Sequence, residues 1–404
     1  MNKTAYILLA MSALLAAVAS CAKVEKIEEP LGDEPIDFSW YASRNTASKA
    51  DATYYVGGTT LGQEHHLPVG TGFGVFGYFH PQDNGVAGSW SDAGENHPRL
   101  LYNEQVGIAL DAHNDYQYNY THSRYWPKNT LDRMSFIAYY PWNELNTTGT
   151  ASVDAIVEPF LDSRYERDGM VGFYYTVPRA SEDQIDFMVS DLCKDQSWAL
   201  WHSDNTKGLT GNDNGKVKLF FHHALSQVRI KSVAFDTGGN DNVELKINYI
   251  IFKNVAVFGQ CIPVPDFSTT TVTGRTTVTP TWPTGTLVAR RPDLTSGVTA
   301  EVCYDADHDT WDVDNFLLMI PHEFFTDATI EVNFDVFRAK DPVTGEYYSY
   351  TGNTLSAPLT TNTVYGWQAG KIYVYNIVLD LKQIKVKADV VDWLDAGEDV
   401  ILDN

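Results

Sequence analysis

From Ile36 onward the apolar positions along the chain show no long helical period. Runs of four to eight residues rich in Val, Ile, Phe, Tyr and Thr are separated by clusters of Gly, Asn, Asp and Pro. This texture predicts strands over residues 73–79, 134–140, 217–221, 227–235, 245–257, 329–337 and 373–381. Turn signals stand between them: Asp83-Asn84-Gly85, the run Gly211-Asn212-Asp213-Asn214-Gly215, Gly238-Gly239-Asn240-Asp241 and Thr344-Gly345. Near the start, Ile36, Phe38, Trp40 and Ala42 alternate with Asp37, Ser39, Tyr41 and Ser43, which predicts a strand with one apolar face. Residues 181–200 (SEDQIDFMVSDLCKDQSWAL) are read as a short helix, capped by Ser181 with Glu182 and Asp183 in its first turn.

The predicted fold is all-β. Longer loops and aromatic clusters fill the chain up to residues 223–228, and more regular strands follow. The division is therefore placed at 225/226, with one β-sandwich domain over 36–225 and a second over 226–404.

The first twenty residues read as a secretory leader. Lys3 supplies the positive charge, and residues 5–19 form an uncharged, small-residue-rich apolar run. The leader ends in Val18-Ala19-Ser20-Cys21, which resembles the lipobox of bacterial lipoproteins. That resemblance implies cleavage before Cys21, a lipid on its thiol, and anchoring to the outer membrane by acyl chains. Residues 21–35 (CAKVEKIEEPLGDEP) read as a tether between lipid and folded body.

Charge narrows the partners. The chain holds 29 Lys and Arg against 52 Asp and Glu, a net charge of −23. Such a surface repels nucleic-acid phosphates and anionic lipid headgroups, so nucleic acid is not an expected partner. Besides Cys21 the chain has Cys193, Cys261 and Cys303, an odd and widely spaced set that defines no disulfide framework and no metal pair. A single bridge among the three and three free thiols both stay open.

Few motifs point to chemistry. Gly72, Gly74 and Gly77 satisfy G-x-G-x-x-G, but the run continues as strand to Pro81 where a phosphate site needs a helix start. Asp305, Asp307, Asp309, Asp312 and Asp314 crowd one loop. An EF-hand would need Gly at Thr310 and Glu at Phe316, so the loop reads as a solvated hairpin turn between 300–304 and 315–320. His65-His66 and His222-His223 are adjacent pairs whose members point to opposite faces of a strand, which does not suit one metal ion. Trp90, Trp126, Trp142 and Trp282 fit either core packing or stacking on sugar rings. No catalytic residue set, metal site or cofactor is expected.

Several segments, in order, resemble the fimbrillin family, the Mfa-like surface proteins of Bacteroidales. They are Ile36-Asp37-Phe38 with Arg44 downstream, the run 72–78 (GFGVFGY), Tyr125-Trp126-Pro127, the run 134–141 (MSFIAYYP) and Asp186-Phe187-Met188-Val189. The runs 217–228 (VKLFFHHALSQV), 316–321 (FLLMIP) and 367–376 (WQAGKIYVYN) complete the set.

The resemblance implies two tandem transthyretin-like β-sandwich domains and a fimbrial subunit exported as a lipoprotein precursor. In the family's stalk subunits an Arg-specific protease removes the lipidated segment with its first strand. A strand from a neighbouring subunit then fills the groove. Carried onto this chain, cleavage falls between Arg44 and Asn45 and removes the strand bearing Ile36, Phe38, Trp40 and Ala42. Two strand-like segments, around Val391 and Trp393 and around Val400 and Leu402, are the candidate donors. They equally suit strands that complete the second sandwich. Stalk, tip and anchor roles stay open, as does a host or bacterial surface ligand. The competing reading is a surface glycan-binding lipoprotein of a polysaccharide-uptake system.

Overall fold

The computed structural model describes residues 31–42, 55–56, 59–60, 67, 69–90, 96–113, 116–146, 155–160, 171–179, 183–198, 216–235, 243–270, 275–289, 298–300, 316–338, 343, 349–360, 364–379 and 384–392. These residues are nearly all strand and turn. In the first half the strands are β1 (Leu31–Pro35), β2 (Asp37–Ala42), β3 (Tyr55–Val56), β4 (Thr59–Thr60), β5 (Gly72–His80), β6 (Leu101–Leu110) and β7 (Tyr116–Asn119). They continue with β8 (Tyr125–Pro127), β9 (Arg133–Tyr140), β10 (Val157–Phe160), β11 (Gly172–Thr176), β12 (Met188–Ser190), β13 (Leu192–Gln196) and β14 (Lys216–His223). The second half holds β15 (Ser226–Phe235), β16 (Val243–Lys253), β17 (Phe258–Thr270), β18 (Arg275–Thr281) and β19 (Val298–Ala300). It ends with β20 (Phe316–Met319), β21 (Thr329–Arg338), β22 (Ser349–Pro358), β23 (Lys371–Leu379) and β24 (Ile384–Asp392).

The first sheet is built around β9. One edge of β9 carries β5, followed by β6 and β7. The other edge carries β12 and then β13, and there the sheet forks. One arm runs β12–β14–β2 and the other runs β13–β18–β17–β11–β10. The β14–β2 arm closes with β5, β6 and β7 over a core that includes Phe73, Phe136, Val217, Leu219 and Phe221. The other arm belongs to a larger core shared with the second half. There, sheet β20–β15–β23–β24 packs on sheet β19–β16–β21–β22 as a sandwich. Phe252 of β16 meets Tyr375 of β23 with ring centroids 5.8 Å apart.

Four expectations meet a different outcome. The helix expected over 181–200 is replaced, within the described residues, by β12 and β13. Asp186, Ser190 and Asp191, which imitate a polar helix face, are buried and paired inside the sheet. Asp186 binds His223, Asp191 binds His222, and the Ser190 hydroxyl accepts the Ala138 N–H. Residues 31–35, read as the end of the tether, instead form β1 and pair with β8. The Asp305–Asp314 loop lies outside the described residues, but its flanks are not a hairpin. β19 pairs with β16 in one sheet and β20 with β15 in the facing sheet. Finally, the β17–β18 hairpin, from beyond residue 226, pairs with β11 and β13 of the first half. Cys261, Val278 and Trp282 are thereby buried with Phe173 and Phe187, an apolar surface the first half leaves open.

Candidate functional site: the edge strand β2 and its groove

The strand β2 lies at one end of the first sheet, parallel to β14. Its register runs from Asp37 opposite Lys216, through Phe38–Val217 and Trp40–Leu219, to Ala42 opposite Phe221. The alternation seen in the sequence decides what faces the core. Ile36 and Phe38 are 0% and 1% exposed, whereas Asp37 faces solvent. The Phe38 ring meets Phe136 edge-on at 5.3 Å and Tyr120 at 5.9 Å. Ser39 is buried too, with its hydroxyl unpaired. Just before β2 the chain is held on its other side. The Ile36 N–H donates to the Arg124 carbonyl at 2.8 Å, the Tyr120 hydroxyl donates to the Ile36 carbonyl, and β1 pairs with β8. Burial pushes the Tyr120 hydroxyl up to about 12, so it stays a donor at neutral pH.

Ile36 and Phe38 thus cover a core whose floor is Phe73, Phe136, Val217, Leu219 and Phe221. Burying each large apolar side chain stabilises the fold by about 1.5–3 kcal/mol, and each backbone bond adds about 0.5–1.5 kcal/mol. A chain lacking β2 would expose this floor together with the unpaired edge of β14, the arrangement that accepts an added strand.

Of the other residues singled out in the sequence, Cys21, Arg44, Asn45, Trp393, Val400 and Leu402 lie outside the described residues. Val391 is described. It pairs with Ile372 at the end of β24, the outer strand of the second sandwich. Cys193 and Cys261 are free, buried thiols, while Cys303 lies outside the described residues. Burial, reinforced by Asp191, pushes the Cys193 thiol up to about 12, and burial raises the Cys261 thiol well above its ordinary value, which disfavours the thiolate at both. His222 and His223 point to opposite faces as expected, each onto its own carboxylate; His65 and His66 lie outside the described residues. Trp90, Trp126 and Trp282 are core residues and Trp142 packs against the core, so these four do not form an exposed sugar platform. The glycines at 72, 74 and 77 lie within β5. A Cβ on Gly74 would fall 2.1 Å from the Tyr139 ring, so close packing in the sheet accounts for the glycine. Among the described residues no group of three His, Cys, Asp or Glu converges as a metal site.

The sequence did not single out the cluster at the fork. Asp191, 3% exposed at the side chain, accepts from the Arg275 Nε at 3.2 Å and from the Val278 N–H at 3.1 Å, and pairs with the His222 Nε2 at 2.7 Å. The Arg275 guanidinium lies over the Phe220 ring, 4.0 Å from its centroid. The one signal available was an Asp inside an otherwise apolar run, which anticipates a buried partner without naming it.

A fimbrillin-like family model matches residues 70–393. No curated protein sequence matches the chain significantly. Among solved structures, a fimbrial protein from Bacteroides vulgatus is 16% identical; the alignment covers 80% of this chain and 92% of that one, with a TM-score of 0.47. The tip fimbrial protein Mfa3 from Porphyromonas gingivalis is 9% identical over 80% of this chain and 95% of that one, with a TM-score of 0.30. Similarities this distant assign no role to any residue. The family match spans most of the sequence and all but the first strands of the architecture described above, and the chain belongs to the fimbrillin-like family of fimbrial proteins.

Proposed function

We propose that this fimbrial subunit is exported as a lipoprotein on Cys21, is cut after Arg44 by an Arg-specific protease, and polymerises by accepting a neighbour's strand where β2 had been. The observation that supports this most directly is the position of β2. Among the described residues it is a sheet-edge strand that closes an apolar core and pairs with β14 alone. Loss of the segment ending at Arg44 removes β1 and β2 together and leaves the rest of the first sheet connected through β9. The donor strand comes from the C-terminal part of the neighbouring subunit, where Trp393, Val400 and Leu402 supply apolar positions. The protein then stands on the cell surface as part of a fimbrium, its non-enzymatic role being assembly and adhesion to a host or bacterial surface.

The N-terminus of the native protein, read by mass spectrometry, tests this proposal. A start at Asn45 is expected. A start at an acylated Cys21 in assembled fimbriae would overturn the strand-removal step.

A further inference from the structure

Strand β14 is held unevenly. Residues 221–223 pair with β12 on one side. Residues 216–219 lie beyond the fork, and among the described residues the only strand in register with them is β2. An edge strand stripped of its one ladder partner frays, because its backbone bonds pass to water. A groove that frayed when β2 left would be a poor acceptor, since the incoming strand would have to order both chains.

Contacts from elements other than β2 also hold residues 218–220. The Asp191 N–H donates to the Phe220 carbonyl at 2.7 Å. The Cys193 thiol donates to the Lys218 carbonyl at 3.3 Å, taking the place of a ladder amide where the strands splay apart. Arg275 lies on the Phe220 ring while its Nε binds Asp191, and Asp191 also pairs with His222 at the end of β14. Arg275 sits on the β17–β18 hairpin, so a segment from the second half braces the acceptor strand of the first.

We propose that Cys193 and Arg275 are positioning residues that hold β14 extended while its β2 edge is empty, so that the groove is formed before a strand arrives. This rests on the reading that β2 is removed. A preformed groove avoids the ordering cost on binding. Loss of one hydrogen bond or one stacked cation is expected to weaken strand uptake about tenfold.

The test uses the full chain with a specific protease site placed after Arg44. The chain is cut and diluted until its own N-terminal segment has left, and its fold is followed by near-ultraviolet circular dichroism. A fluorescent peptide with the sequence of residues 31–42 is then titrated in. Cys193→Val, which keeps the volume but lacks the donor, should bind about tenfold more weakly, and so should Arg275→Ala. Cys193→Ser, which restores a donor, should recover binding. Hydrogen exchange at residues 216–220 should be faster than wild type in the cut Cys193→Val chain and equal to wild type in the uncut one. Wild-type affinity in both weakened variants would overturn the proposal, as would an uncut Cys193→Val chain already showing the same fast exchange. A wild-type cut chain that keeps its fold yet takes up no peptide would overturn the strand-removal reading itself.

Discussion

Phe38 and His80 illustrate how single residues carry this fold. Phe38 is enclosed by Phe136 and Tyr120, so Phe38→Ala leaves a cavity at the groove and should cost about 3–5 kcal/mol in denaturant unfolding of the uncut chain. Asp37→Asn, one residue away and exposed, should change stability by less than about 0.5 kcal/mol in the same measurement. His80 is buried against Ser135, and burial lowers its pKa from 6.5 to about 4. Its folded pKa is the lower one, so unfolding takes up a proton between these values. The stability it contributes is complete above pH 6.5 and declines as the pH falls toward about 4, by at most about 1.4 kcal/mol per pH unit. Urea midpoints from pH 7.5 to 4 should therefore fall more steeply for wild type than for His80→Gln. Parallel pH profiles would show that His80 titrates alike in both states.

Among the elements, the forked sheet depends on close approaches that periodicity does not report. Gly74→Ala on β5 drives a methyl into the Tyr139 ring and should cost about 1–3 kcal/mol, read as a lower melting temperature. At the fork, Asp191→Ala leaves Arg275 and His222 without their carboxylate inside the sheet. It should destabilise by about 3–5 kcal/mol, measurable by calorimetry. β21 was legible from alternation, with Ile330, Val332, Phe334 and Val336 buried, whereas β5 and β9 were legible as continuous apolar runs buried at nearly every position. The strands β12 and β13 were not, because their buried polar residues find partners on strands distant in sequence, and a local pattern cannot show those partners.

At the scale of the whole molecule, the two halves share one hydrophobic core. From Phe221 to Val228 the chain runs on from β14 into β15 with all but His222 buried. The Trp282 indole donates to the Ala224 carbonyl at 2.9 Å, and Gln184 of the first half accepts the Leu318 N–H of the second. With the β17–β18 hairpin also shared, thermal unfolding of the uncut chain should give a single calorimetric transition. Two separated transitions would show that the sandwiches melt independently.

Read along the chain alone, the residues give the all-β class, most strand positions, a strand at 37–42 and the resemblance to fimbrillins. These follow from local alternation and from motif order, and both can be read along the chain. Only the tertiary structure decided that β2 is an edge strand parallel to β14. It also decided that a hairpin from the second half completes the first sheet, and that Asp191, Arg275 and Cys193 meet at its fork. Those outcomes depend on pairings between residues tens of positions apart, where the burial of complementary apolar faces and buried charges selects the partner.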